Sequence, residues 1–337
     1  MTRRVAILGA TGLVGRTMLA LLEQRGFPVE RPCLLASDRA AGRTIRFRGA
    51  ELPVEPVGPA SFDGIDLALF ASANAVSEQW AKVAIAAGAR VVDNSSAFRY
   101  HPEIPLVVPE VNARELDARP MLVANPNCST IAIVLPLAAL DAAARLRRVV
   151  VATYQSVSGA GSEALEDLET GVRAGLEGEP PARANGLAPF AFNVVPHIDR
   201  FEDNDYTREE MKIVWETRKI LGLPELPVTA TAVRVPVRVG HSAAVWASFD
   251  RPVDPDEARA LWRAFPGIEV IDDPKTNAYP TPLAVAGRDP VLVGRARRDL
   301  TDVNGLTFFV VSDNLRKGAA LNAVQIAEVL CRESVIT

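Results

Sequence analysis

Residues Arg4 to Leu8 read as a buried strand, and Gly9-Ala10-Thr11-Gly12-Leu13-Val14-Gly15 follows at once. A helix-like stretch then runs to about Gln24. Strand patterns at Cys33–Ser37, Asp66–Ala71 and Arg90–Asp93 alternate with helical segments, notably Val76–Ala87. Strands recurring between helical stretches predict βαβ units and a doubly wound α/β sheet. Met121 to Ala124 is a further short apolar strand, and an apolar, helix-like run covers Ile131 to Leu146. After Arg147 the pattern changes to long β-type runs at Arg148–Ser156, Val228–Val239, Ala243–Asp250, Val291–Leu300 and Leu306–Ser312. Helical patterns at Ser162–Leu176 and Thr207–Leu221 lie between them, which predicts an α+β domain on a large, mostly antiparallel sheet. A last helix, Gly318–Arg332, carries the apolar stripe Leu321, Val324, Ala327, Leu330 and is expected to pack back on the first domain. Residues Gly178–Pro189 read as a long loop. The expected division is a doubly wound domain over 1–130, completed by 316–337, and a second domain over 131–315.

Length supports that division, because 337 residues exceed one ordinary core. A hydrophobic share of 48% with 23% charged residues is globular composition. The net charge of −4 gives no electrostatic case for a nucleic-acid partner or an anionic membrane. No apolar run reaches the roughly 18 residues of a spanning helix, and no secretory apolar segment precedes the first strand. The three cysteines, Cys33, Cys128 and Cys331, are far apart and have neither metal-ligand nor disulfide-framework spacing. A cytoplasmic, metal-free protein is expected.

The glycine segment carries the first chemistry. Between a strand and a helix, Gly9, Gly12 and Gly15 let the backbone turn tightly and approach a pyrophosphate, whose charge rests on the helix N-terminus. Thr11, Leu13 and Val14 are in the same cradle, and a plain strand-to-helix turn is the alternative. At the end of the second strand, Ser37 and Arg39 suit the 2′-phosphate of NADP, whereas Asp38 suits a free ribose hydroxyl or a turn cap. Solvated loop charges are the rival there.

Cys128 carries the second. Its segment, Asn125-Pro126-Asn127-Cys128-Ser129-Thr130, is a turn followed by a helix start, where unpaired N–H groups and the helix dipole favour an anion. A thiol so placed reads as a nucleophile rather than a buried structural cysteine. A catalytic thiol calls for a base near neutrality. Of the three histidines, His241 follows Gly240 at a break between strands, while His101 and His197 fit structural hydrogen bonding.

The ordered set Gly9–Gly15, Asn125–Thr130, Thr153–Gly161, Tyr206–Lys212, Arg234–His241 and Ser312–Ala320 resembles the aspartate-semialdehyde dehydrogenase family over essentially the whole chain. The resemblance implies reversible, NADP-dependent conversion of 4-aspartyl phosphate to aspartate 4-semialdehyde, in lysine (diaminopimelate), threonine and methionine biosynthesis. It implies a thioacyl intermediate on Cys128, with His241 deprotonating the thiol, N–H groups near Asn127 and Cys128 holding the oxyanion, and Gln155 orienting the acyl group. Arg234 would take the substrate α-carboxylate and Glu209 the α-ammonium, with Arg99 and Lys212 on the phosphate. Ser72, Ser158, Gly159 and Asn314 would touch the cofactor, and Arg316 and Lys317 would cap or solvate the last helix. A homodimer or a dimer of dimers is implied, with the second domain making the contact.

Without the resemblance, Glu209 and Lys212, three apart on one helix, would read as an ordinary surface ion pair. Two positions depart from the family pattern: Asn74-Ala75 stand where Gly or Ser is common, and Ala243 where Glu is common. The nearest enzymatic alternative is an N-acetyl-glutamyl-phosphate reductase, whose turn has glycine at the Asn127 position and whose acylated amine needs no acid such as Glu209. A non-catalytic NADP-binding homologue is the other alternative, since fold does not guarantee function.

Overall fold

The computed structural model describes residues 2–180 and 188–332. Residues 181–187 of the expected Gly178–Pro189 loop lie outside the described residues, as do 333–337 of the C-terminal segment. The chain divides into two compact units, Met1–Asn127 with Ala319–Thr337, and Cys128–Gly318.

In the first unit, β1 (Val5–Leu8) leads into α1 (Leu13–Gln24), then β2 (Cys33–Ala36) and a hairpin of β3 (Thr44–Phe47) and β4 (Ala50–Pro56). There follow β5 (Leu67–Phe70), α2 (Asn74–Ala86), β6 (Arg90–Asp93), the one-turn α3 (Pro109–Asn112) and β7 (Leu122–Ala124). The sheet order is β3-β4-β2-β1-β5-β6-β7, with every pair parallel except β3–β4. Leaving out β3, this is the dinucleotide-binding order, and the chain reverses direction across the sheet at β1. All four residues of β1 and of β5 are buried, as expected of strands covered on both faces.

The C-terminal helix, Leu321–Cys331, belongs to this unit, and its Leu321, Val324, Ala327 and Leu330 join the core with Val5, Ile7, Leu69 and Val92. Two buried amides tie it down. Asn322 donates to the Asn125 side chain at 2.7 Å and to the Val107 carbonyl at 2.8 Å. Asn125 in turn donates to Asn94 Oδ1 at 2.9 Å, so the loop before Cys128 is fixed by paired groups rather than apolar packing.

The second unit begins with α4 (Cys128–Ala144), which starts on the thiol residue itself, three residues before the expected Ile131. It is apolar all round, and 12 of its residues are buried, as befits a central helix. Pro136 lies inside it, and the Trp262 indole donates to the Pro136 carbonyl at 3.2 Å. Then come β8 (Leu146–Gln155), α5 (Ser162–Leu176), α6 (Arg208–Leu221), β9 (Val228–Arg234), β10 (His241–Phe249) and α7 (Pro255–Ala264). The strand β11 (Ile268–Val270), the one-turn α8 (Pro282–Val285), β12 (Val291–Arg298) and β13 (Gly305–Ser312) complete it.

The sheet order is β11-β12-β13-β10-β8-β9. Three pairs are antiparallel, and the two outer pairs, β11–β12 and β8–β9, are parallel, so the sheet is mixed. One register matters most for function. Gln155 pairs with Arg234 and His241 pairs with Ser312, so the ends of β8, β9 and β13 meet the start of β10 at one end of the sheet.

Candidate active site

Within the second unit, that sheet end collects most of the polar residues singled out above. Gln155, Arg234 and His241 are 1%, 7% and 2% exposed. Asn314, just beyond β13, ties the loops together. Its Oδ1 accepts from the Gly240 N–H at 2.9 Å and from the hydroxyls of Ser156 at 3.0 Å and Ser158 at 3.2 Å. A buried carboxamide with this many partners makes the loops after β8 and before β10 one rigid piece.

α6 supplies the charged pair. Thr207 caps it in a capping box with Glu210, and Gly222 ends it in the left-handed conformation with φ 68°. Glu210 also accepts from the Ala232 N–H at 2.9 Å, which fixes the helix against β9. Glu209 is therefore held inward, 5% exposed, where it accepts from Gln155 Nε2 at 3.2 Å and Lys212 Nζ at 3.0 Å. Lys212 also donates to Asp199 at 2.7 Å. Burial pulls the Lys212 ammonium down, but the carboxylates of Glu209 and Asp199 more than offset it, and its pKa lies above the ordinary lysine value. This is not a surface ion pair: Gln155, Glu209 and Lys212, buried or half-buried, form one network that reaches the sheet end.

Arg234 donates through Nη1 to the Ser156 carbonyl at 2.7 Å. Burial lowers its pKa, while the Glu209 carboxylate and the Cys128 sulfur oppose that shift, so thiol and guanidinium are electrostatically coupled. Burial, and then the positive charge of Arg234, push the His241 imidazole down to about 3, with Glu209 opposing. His241 is thus neutral at physiological pH. Its Nδ1 accepts from the Ser156 N–H at 3.0 Å, and its buried Nε2 has no hydrogen-bond partner among the described residues.

Two glycines make room for these groups. A Cβ on Gly159 would lie 3.0 Å from His241 Nε2 and 3.1 Å from Arg234 Nη1, and one on Gly318 would lie 3.1 Å from the Cys128 Cβ. Gly159→Ala is expected to keep the fold and to lower kcat/KM about tenfold by displacing those two side chains. Unchanged steady-state kinetics would contradict this.

Ser156 was not among the residues picked from the sequence, because it acts through its main chain and leaves no side-chain signature. Asp199 was likewise missed: it is an exposed acid with φ 71°, and its tie to Lys212 is visible only once folded. Lys317 is a correction. It is 1% exposed, so it does not solvate the last helix; residues Arg316–Ala320 form a π turn whose Gly318 packs on Cys128, and Lys317 lies inside. Arg316 instead pairs with Asp289 at 2.6 Å.

The remaining predicted residues lie in the first unit. Gly9 has φ +85°, and a Cβ there would lie 2.3 Å from the Ala71 carbonyl oxygen; one on Gly15 would lie 2.2 Å from the Gly9 oxygen. These two glycines are required by the turn itself. Gly12 is different: its φ is −76°, and the nearest atom to a Cβ would be 3.5 Å away. Nothing in the fold demands glycine at Gly12, but a pyrophosphate lying against the backbone would. Gly12 is also the N-cap of α1, with no side-chain cap and no acid in the first turn, so the helix N-terminus is open to an anion. The cradle fits a dinucleotide.

Ser37, Asp38 and Arg39 are exposed at the end of β2, and no side-chain bond to other described residues holds them. The Ser72 hydroxyl lies 3.0 Å from that of Ser77, which donates to buried Asp93 at 2.6 Å. Ser95 donates to the other Asp93 oxygen at 2.5 Å. Burial raises the Asp93 pKa against these bonds and the charge of Arg99. Arg99, 6% exposed, donates to the Asn94 carbonyl at 2.7 Å, and Asn127 is 5% exposed. Asn74, one of the departures from the family pattern, bonds Ser96 through both ends of its amide at 3.0 Å. Burial raises the pKa of both Cys33 and Cys331, which makes them poor nucleophiles.

Comparison with known proteins accounts for both units. Residues 4–119 match the family model described as "Semialdehyde dehydrogenase, NAD binding domain", and residues 137–317 match "Semialdehyde dehydrogenase, dimerisation domain". The chain is 47% identical to the aspartate-semialdehyde dehydrogenase of Aquifex aeolicus over 337 residues, covering 99% of each. Its fold is similar to that of aspartate semialdehyde dehydrogenase II of Vibrio cholerae complexed with ASA, with a TM-score of 0.95, 44% identity and 99% of each chain covered. It is also similar to the aspartate semialdehyde dehydrogenase with NADP from Candida albicans, with a TM-score of 0.77, 25% identity and 98% of each chain covered. The chain belongs to the aspartate-semialdehyde dehydrogenase family.

Proposed function

We propose that this chain interconverts 4-aspartyl phosphate with aspartate 4-semialdehyde and phosphate, using NADP and a thioester on Cys128, in the biosynthesis of lysine, threonine and methionine. The observation that carries this reading is the buried charge set of Arg234 and Glu209. A small α-amino acid needs a cation for its carboxylate and an anion for its ammonium, and both are here, desolvated and fixed. Glu209 accepts from Gln155 and Lys212, which hold its carboxylate at the sheet end as the counter-charge for an ammonium. An N-acetylated substrate would leave that carboxylate unmatched.

In the reductive direction the Cys128 thiolate attacks the acyl carbon and phosphate leaves with the bonding pair. The helix N-terminus and Arg234 hold the sulfur as an anion. Backbone N–H groups at Asn127 and Cys128 hold the acyl oxygen, and Gln155 orients the acyl chain. Arg99 and the third proton of the Lys212 ammonium take the phosphate. NADP, when bound, supplies or accepts the hydride at the acyl carbon. Gly9, Thr11, Gly12, Leu13, Val14 and Gly15 would hold its pyrophosphate, with Ser37 and Arg39 on the 2′-phosphate and Ser72, Ser158, Gly159 and Asn314 toward the nicotinamide. Arg39→Ala is expected to raise KM for NADP about tenfold with little change for NAD. An equal change for both cofactors would count against that placement.

A second copy of the chain is the proposed partner. Val150, Tyr154, Trp246 and Phe309 lie on one face of the second sheet, where Tyr154 and Trp246 are 39% and 37% exposed. This apolar face supports a homodimer, and sedimentation distinguishes a dimer from a dimer of dimers. Among the described residues no helix is long and apolar enough to cross a membrane, and we place the enzyme in the cytoplasm.

The test is direct. Purified protein given aspartate 4-semialdehyde, NADP and phosphate should form NADPH only when all three are present. Phosphate-independent turnover, or a preference for N-acetylated glutamate semialdehyde, would overturn the reading.

A further inference from the structure

We infer that Asp93 is a positioning residue for the cofactor: its buried carboxylate accepts from Ser77, Ser77 accepts from Ser72, and Ser72 is left to accept a hydrogen bond from the nicotinamide half of the dinucleotide. The inference rests on the proposed binding of NADP for the identity of that donor, but the direction of the chain follows from the ligand-free first unit.

Asp93 ends β6 and is 0% exposed, yet no step of the proposed chemistry uses it. Ser77 donates to one of its oxygens at 2.6 Å and Ser95 to the other at 2.5 Å. These lengths are those of hydroxyls bound to a carboxylate anion. Burial works against that charge, while both serine bonds and the Arg99 cation favour it. Counting protons gives the same answer. Three links join Asp93, Ser95, Ser77 and Ser72, and the three serines supply three protons, so an ionised Asp93 fills each link once. A fourth proton, on the carboxyl, would find no acceptor within the network.

The order of donors follows. The single hydroxyl proton of Ser77 goes to Asp93, so the 3.0 Å contact between Ser77 and Ser72 is made by the Ser72 proton. Ser72 then has no proton to give outward, and only lone pairs remain on its oxygen. Ser95 completes the brace on the other side, where its oxygen also accepts from the Ala97 N–H at 3.1 Å. One carboxylate thus ties the loop after β5 to the loop after β6.

Ser72 lies where a dinucleotide on this unit would pass. It follows β5, the neighbour of β1, at the point where the chain reverses direction across the sheet. Parallel sheets bind ligands in the crevice at that point. A Cβ on Gly9 would lie 2.3 Å from the Ala71 oxygen and 3.4 Å from the Ser72 nitrogen, so the Ser72 loop runs against the glycine turn. Ser72 is half-buried, whereas Ser77, Asp93 and Ser95 are buried, so the chain opens only at Ser72. Beyond the pyrophosphate, the nicotinamide half offers ribose hydroxyls and a carboxamide N–H₂. Both are donors, which suits an oxygen that can only accept.

Binding of NADPH to the full-length enzyme, read from cofactor fluorescence without turnover, tests the chain. Ser72→Ala should raise Kd about three- to tenfold. Asp93→Asn should do the same, because an amide accepts from one serine and donates to the other, and the chain loses its single direction. In a Ser72→Ala background Asp93→Asn should add less than about twofold, since a residue that acts through Ser72 has nothing left to act on. Ser77→Ala cuts the chain without touching the carboxylate and should behave like Asp93→Asn. With the 3-acetylpyridine analogue, which lacks the amide N–H₂, a persisting Ser72→Ala effect assigns a ribose hydroxyl and a vanished one the carboxamide. Fully additive losses, or wild-type Kd in both Asp93→Asn and Ser77→Ala, would overturn the inference. Neutron diffraction from deuterium-exchanged, ligand-free crystals should place deuterium on Ser72 Oγ toward Ser77 and on Ser77 Oγ toward Asp93, and the reverse order would overturn it whatever the cofactor. Failure of the wild type to bind NADPH with that deuterium pattern intact would instead count against the proposed function.

Discussion

Cys128→Ala is expected to lower phosphate-dependent NADP reduction by about 10³-fold or more while leaving the protein folded. A nucleophile that forms the covalent intermediate cannot be replaced by binding alone, and removing one such residue costs nearly as much as removing the whole apparatus. The fold should tolerate the change. A Cβ on Gly318 would lie 3.1 Å from the Cys128 Cβ, so the site is too tight for a larger residue, but alanine keeps that Cβ and adds nothing. Cys128→Ser makes the control stricter: it preserves shape and the helix start, and its hydroxyl does not ionise at a helix N-terminus as a thiol does. A melting curve close to wild type, with activity lost in both variants, is the expected result. Activity of more than about a tenth of wild type in either would mean that Cys128 is not the nucleophile.

Arg234→Lys should raise KM for aspartate 4-semialdehyde about ten- to a hundredfold, with a smaller fall in kcat. The guanidinium spends one donor on the Ser156 carbonyl at 2.7 Å and keeps a planar edge for a two-pronged carboxylate contact. Lysine keeps the positive charge but not the fork. Hydrogen bonds to charged groups contribute about 1.5–3 kcal/mol, which corresponds to that range in binding. Because the charge remains, the Cys128 thiolate should keep most of its support, and kcat should suffer less than kcat/KM. A fall in kcat alone would place Arg234 on the sulfur rather than on the substrate, and unchanged kinetics would remove it from the site.

How legible these features are in the sequence depends on the kind of contact each residue makes. The first unit reads well because parallel strands buried on both faces appear as unbroken apolar runs, as in Val5–Leu8 and Leu67–Phe70. The β3–β4 hairpin was missed. Its residues are largely exposed, Pro53 and Pro56 interrupt β4, and no apolar run announces it. In the second unit β-type residues continue beyond the paired strand, so Val228–Val239 seemed one run although β9 ends at Arg234. Conversely β10 begins two residues before the expected Ala243, on His241 itself, because the chain turns at Gly240 with φ +100°.

The site divides in the same way. Cys128 and His241 are legible because few side chains do their chemistry, and a turn or a glycine beside each points to exposure of a reactive group. Glu209 and Lys212 could be told from a surface pair only through the family resemblance, since i, i+3 spacing is common and burial is a tertiary property. Ser156, Asp199 and Lys317 were not legible. The first works through its amide and carbonyl, the second through a loop conformation, and the third is buried by a π turn that no periodicity predicts.

The central claim is a covalent aspartyl enzyme on Cys128, and intact-mass analysis tests it most directly. Enzyme mixed with 4-aspartyl phosphate in the absence of NADPH and quenched in acid should gain the mass of one aspartyl group. Proteolysis should place that group on the peptide containing Cys128, and hydroxylamine should remove it. An unmodified enzyme under turnover-competent conditions, or an adduct on any other residue, would contradict the account.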